Sequence, residues 1–100
     1  MTKRLPPIHP GENLKDWMDD FQLSANRLAL DVGVPNNRIL AIVGGKRSIT
    51  ADTALRLARY FRTSVEYWMN LQTHYEIARA RHDKGAAIER RVQPLPRRAA

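Results

Sequence analysis

The sequence predicts an all-α fold: one small domain of five helices, followed by a flexible basic tail. Three observations predict it. Apolar residues recur at three- and four-residue steps in five successive stretches, the spacing of a half-buried helix. Helix-capping serine and threonine, and helix-ending glycine, fall between those stretches. No apolar/polar alternation bounded by turns marks a strand. The chain has 100 residues, 43% of them hydrophobic, which suffices for one core and argues against overall disorder.

Residues 1–10 hold three prolines and read as an extended arm. A first helix runs from about Gly11 to Phe21, with Leu14, Trp17, Met18 and Phe21 on one side. Ser24 is a good cap for a second, "SANRLALDVG", with Leu28, Ala29 and Val32 inward. Gly33 ends it in the left-handed conformation that glycine tolerates. The third helix opens at Pro35, a favoured first-turn residue, and stops near Gly44 and Gly45. Thr50 caps the fourth, "TADTALRLARYF", with Asp52 near the positive end of its dipole. Leu55, Leu57, Ala58 and Phe61 supply its apolar side. Ser64 caps the fifth, on which Trp68, Leu71, Gln72 and Tyr75 share a face. Beyond about Asp83 the helix signal weakens, and Gly85, Pro94 and Pro96 among arginines read as the flexible tail. The expected division is therefore an arm at 1–10, a helical domain at 11–82 and a tail at 83–100.

The formal charge is +7, which suggests an acidic partner such as nucleic acid. From Arg79 onward, Arg79, Arg81, Lys84, Arg90, Arg91, Arg97 and Arg98 stand against Asp83 and Glu89, so the first 78 residues carry only +2. Within those, sign is segregated. Glu12, Asp16, Asp19 and Asp20 make the first helix acidic. Between Val32 and Val65 stand Arg38, Lys46, Arg47, Arg56, Arg59 and Arg62, against the single acid Asp52. One half of the domain is thus suited to phosphates. Arg56, Arg59 and Arg62 recur every three residues and are expected in ion pairs or solvent rather than on a ligand.

Enzyme chemistry finds no support. His9, His74 and His82 are scattered without metal-ligand spacing, and no nucleophile–base arrangement or phosphate-cradling glycine loop appears. No metal, cofactor or small-molecule substrate is expected. There is no cysteine, which fits a reducing cytoplasm. There is no signal-peptide pattern, and no apolar run long enough to span a membrane.

The second and third helices are joined at Gly33-Val34, a link so short that they must cross steeply. A steep crossing needs a small residue where the helices touch, and Ala29 lies one turn before the glycine. Leu28, Val32, Val34, Ile39 and Ile42 line the inner sides. This spacing resembles the helix-turn-helix of phage-repressor-type (XRE) DNA-binding proteins. The flanks sharpen the likeness. "HPGENLKDWM", "LALDVGVPNNRI", "GGKRSITADTALRLARYF" and "SVEYWMNLQTHYEIA" together resemble the HigA/VapI-like antitoxins over about residues 8–78.

The third helix then reads by angle. At about 100° per residue, Ile39, Ile42 and Val43 turn inward while Asn37 and Ala41 turn outward. Asn36 lies near the boundary, in the open first turn. An asparagine amide matches the donor–acceptor edge of adenine. The N-terminal residues of a recognition helix reach base edges. Asn36 and Asn37 are therefore the expected base readers, with Arg38 on a base or phosphate and Leu40 or Ala41 on a thymine methyl. Ser24, Asn26, Lys46, Arg47 and Ser48 are the expected phosphate contacts. The family pattern often carries glutamine just after the Ser24 cap; here that place holds Ala25.

The resemblance implies an antitoxin that represses its own operon. It would bind an inverted-repeat, double-stranded operator through the helix at 35–44 and neutralise a HigB-like mRNA-cleaving toxin. It also implies a homodimer, for which Trp68, Leu71 and Tyr75 are the candidate contacts. Two alternatives stand beside it: a stand-alone transcriptional regulator, and a protein-binding inhibitor with weak DNA affinity.

Overall fold

A computed structural model describes residues 6–97. Positions 1–5 of the expected arm and 98–100 of the expected tail lie outside the described residues. The helices are α1 (Pro10–Asp20), α2 (Ala25–Val32), α3 (Asn36–Val43), α4 (Ala51–Phe61) and α5 (Val65–Arg91), with no strand among the described residues.

Helix starts follow the capping chemistry. The Ser24 hydroxyl accepts from the Arg27 N–H at 3.1 Å, and Ser64 accepts from Tyr67 N–H at 3.0 Å. Thr50 stands at the N-cap of α4 without making a side-chain capping bond. α1 begins at Pro10, because His9 Nδ1 accepts from the Gly11 N–H at 2.9 Å and proline has no N–H to leave unpaired. Gly33 ends α2 at φ 75°, and the N–H groups of Gly33 and Val34 both donate to the Ala29 carbonyl, at 2.9 and 3.0 Å.

The core draws on every helix: Leu14 and Met18, then Leu28, Ala29 and Val32, then Ile39 and Ile42, then Ala54, Leu57 and Ala58, and finally Trp68. Ile49, between α3 and α4, joins them. Burying each large apolar side chain contributes about 1.5–3 kcal/mol. Leu55 is a correction. The buried face of α4 centres on Ala54, Leu57 and Ala58, which turns Leu55 to solvent and takes Thr53 inward.

The tail is a second correction. α5 runs unbroken through Asp83 and Gly85 to Arg91, so the expected flexible tail does not begin at residue 83. A helical glycine costs about 1 kcal/mol. Against that stand the helix-forming alanines 80, 86 and 87, an Arg79–Asp83 pair at 3.7 Å across one turn, and Arg90 and Arg91 at the negative end of the dipole. Residues 92–97 have no regular structure. Its last turns are solvated and project from the domain. The radius of gyration is 17.7 Å, against about 13 Å for a compact chain of this length.

Candidate nucleic-acid interface

Three devices set the attitude of α3. The first is the turn glycine, Gly33, with Ala29 buried at the crossing beneath it. The second is Gly11. A Cβ there would overlap the carbonyl oxygen of Ile42, so the start of α1 lies directly on the last turn of α3. The third is Gln72, a buried polar residue of α5. Its Oε1 accepts the Ile49 N–H at 2.8 Å and ties down the segment leaving α3. In the sequence, Gly11 stands only at the expected start of α1, and Gln72 only on the shared α5 face. The signals available were "HPG" and a glutamine on an otherwise apolar face.

On α3 itself, Ile39 and Ile42 are wholly buried, and Val43 is half-buried. Asn36, Asn37 and Leu40 are exposed. Pro35 occupies the N-cap and no side chain caps the helix, so neither asparagine serves as a cap. Ala41 is half-buried, turned further inward than the angular reading placed it.

Arg38 differs more. Its guanidinium points across to α4, with Nη1 donating to Asp52 Oδ2 at 2.8 Å. Its side chain is only 23% exposed. The same Asp52 oxygen accepts from Arg56 Nε at 3.0 Å. Arg56 Nη1 in turn donates to the carbonyls of Val32 at 2.9 Å and Gly33 at 3.2 Å. Arg56 thus caps the end of α2 and grips the turn, and is an ion pair as expected. The hydrogen bonds from Arg56 and then Arg38 hold the Asp52 carboxyl below its usual range. The sequence placed Asp52 only at the helix dipole. Its isolation among six basic residues was the signal for a bridging role.

The phosphate candidates Ser24, Asn26, Lys46, Arg47 and Ser48 are all exposed. Ser24 uses its oxygen as an acceptor for the cap, which leaves its O–H free to donate. α3 closes with the Lys46 N–H on the Ala41 carbonyl at 2.9 Å, and Gly45 takes φ 76°. That left-handed residue ends the helical path just before the basic pair Lys46 and Arg47.

Of the dimer candidates, Trp68 is corrected. It is wholly buried, with its indole N–H donating to Thr63 Oγ1 at 2.7 Å, and has no surface to offer a partner. Its spacing with Tyr75 could not separate core from interface. Leu71 and Tyr75 are half-buried and line a groove with Pro6, Pro7, Ile8 and Ile77. The ring of Tyr75 meets His9 edge-on, 4.8 Å between centroids. Burial lowers the His9 pKa from 6.5, opposed by Glu12 and assisted by Arg79. Among the described residues, no helix is long and apolar enough to cross a membrane, and no cluster of three His, Cys, Asp or Glu is placed to hold a metal.

A family model described as helix-turn-helix matches residues 14–68. That span covers the α2–α3 crossing, all of α3 and the buried Trp68. The chain belongs to this helix-turn-helix family, in the phage-repressor-type branch. Within it, the likeness is to virulence-associated protein I and the HigA antitoxins. Virulence-associated protein I of Dichelobacter nodosus is 47% identical over 81 residues, 80% of this chain and 75% of that protein. An addiction-module antidote protein of the HigA family from Coxiella burnetii superposes with a TM-score of 0.86 at 49% identity, covering 91% of this chain and 100% of that one. The Pseudomonas aeruginosa antitoxin HigA, solved with the higBA promoter, superposes with a TM-score of 0.87 at 43% identity, covering 90% and 99%.

Proposed function

We propose that this chain is an antitoxin of the HigA kind that binds its own operator and represses its operon. The observation that carries the reading is α3. Its inner side is locked into the core by Ile39 and Ile42, while two uncapped asparagines stand exposed in its first turn. An exposed asparagine pair at the start of a steeply crossed helix is suited to adenine edges in a major groove. Leu40 offers a methyl contact beside them. Lys46, Arg47 and Ser48 on one flank, with Ser24 and Asn26 on α2, supply phosphate contacts that set register without reading sequence. The relative solved with promoter DNA supports this reading.

The working unit we propose is a homodimer, with Leu71 and Tyr75 at or beside the contact. A two-fold pair would set two α3 helices about 34 Å apart, on an inverted repeat. Its protein partner is a HigB-like toxin, inferred from the kinship with HigA antitoxins; it lives with this chain in the cytoplasm. The work is binding rather than catalysis. Titrating the purified chain against DNA from upstream of its own gene, and against a scrambled duplex of equal length, tests the proposal. A preference of about 10³-fold or more at physiological salt is the expected result. Equal affinity for both duplexes refutes sequence-specific repression.

A further inference from the structure

The bridge from the turn to the recognition helix carries a consequence for specificity. Arg56 takes hold of the Val32 and Gly33 carbonyls, Asp52 Oδ2 receives Arg56 at 3.0 Å, and the same oxygen receives Arg38 at 2.8 Å. Arg38 is thereby held from one end, on the helix that carries the asparagines. Its Nε is buried, and only 23% of its side chain is exposed, so the guanidinium lies against the domain.

We propose that Asp52 is a positioning residue for operator discrimination, acting through Arg38. The inference rests on the operator-binding reading above. Asp52 is more than half exposed, so it is not needed to fill the core. It carries the one negative charge between Val32 and Val65, a stretch suited to phosphates. A bare carboxylate there works against DNA affinity, since it repels phosphate. Its use is orientation. A guanidinium has five donors in a rigid fork, and the carboxylate bond at Nη1 tethers one end of that fork while the donors of the other terminal nitrogen stay free. Held so, Arg38 can meet one place on the duplex with fixed geometry. Released, it has the reach and charge to take whichever phosphate is nearest, on any sequence.

The test compares four chains: the parent, Asp52→Asn, Arg38→Ala, and the double variant. Each is titrated with operator and scrambled duplexes across a salt series, after its melting temperature is measured. Asp52→Asn is expected to bind scrambled DNA more tightly and to lose about tenfold in the operator-to-scrambled ratio, a 1.4 kcal/mol change. Its salt slope steepens by about 0.9, one added phosphate contact. In the Arg38→Ala background the same substitution changes the ratio less than twofold, because the group it acts through is gone. If Asp52→Asn leaves ratio and slope unchanged, or shifts the ratio equally with and without Arg38, the inference is wrong. If the substitution lowers the melting temperature, a structural role alone predicts weaker binding to both duplexes at an unchanged slope, and that result also overturns it. Should the parent show no preference for the operator, the operator-binding reading itself fails, and the parent chain shows this before any variant is measured.

Discussion

Gly11→Ala adds one methyl group, and the structure says where it goes. The new Cβ overlaps the carbonyl oxygen of Ile42 and comes within 2.8 Å of its carbonyl carbon. Carbon atoms in contact prefer about 3.5–4.0 Å, so the carbon alone lies roughly 0.7 Å too close, and the oxygen is nearer still. Both partners are backbone, so no rotamer change relieves the overlap. The start of α1 must move away from the end of α3, and the His9 cap on the Gly11 N–H, 2.9 Å long, moves with it. Overpacking of this kind costs about 1–3 kcal/mol, and a lost cap adds about 1 kcal/mol. For a domain this size, each kcal/mol lowers Tm by roughly 4–8 °C. Circular dichroism melting of Gly11→Ala should therefore show a Tm fall of at least about 8 °C. Operator affinity should drop as well, measured at a temperature where the variant remains folded, because α3 is displaced. A Tm within 2 °C of the parent would mean that α1 does not rest on α3 as described, and the account of how α3 is held would go with it.

Three further outcomes follow. Gly33→Val forces a β-branched residue to φ 75°, which should lower stability by about 1–2 kcal/mol in denaturant titration; an unchanged midpoint would misplace the turn. Trp68→Ala should remove about 3–5 kcal/mol and leave little folded protein at 37 °C; a merely monomeric but equally stable variant would return Trp68 to the surface. For His9, burial depresses the folded pKa below 6.5, so the unfolded chain binds the extra proton first. Its contribution is present in full above pH 6.5 and is lost as pH falls through 6.5 toward the folded value. Asp31 and Asp52 are depressed carboxylates, and their losses come in the separate window below about pH 4. His9→Asn keeps a capping acceptor without a titrating ring, so its stability should be flat between pH 7 and 5 where the parent declines; parallel curves would refute the His9 assignment.

What was legible in the sequence is what local chemistry decides. Ser24 and Ser64 announce their helices because a short hydroxyl side chain reaches the N–H three residues on. Gly33 announces the turn because a left-handed residue is needed there. The periodic positions Leu28, Ile39 and Ile42 were readable for the same reason, and they already imply which side of α3 faces outward. What stayed hidden depends on neighbours far along the chain. Arg38 and Asp52 are 14 residues apart, and no periodicity pairs them. Gly11 matters because α3 passes over it, which only the assembled domain reveals. Trp68 and Tyr75 share a face by spacing, yet Trp68 is sealed in and Tyr75 is half open, since burial depends on what α1 and α4 place above each. Gly85 suggested a helix end, but helix formers on both sides outweigh one glycine.

The proposed function stands on base reading by the first turn of α3. Replacing both exposed amides, Asn36→Ala with Asn37→Ala, removes nothing from the core, so the variant should melt within about 0.5 kcal/mol of the parent. Each lost base contact costs about 1–3 kcal/mol, so its operator affinity should fall by at least tenfold while scrambled-duplex affinity and salt slope stay as they were. A double variant that keeps the parent's operator-to-scrambled ratio would contradict the claim.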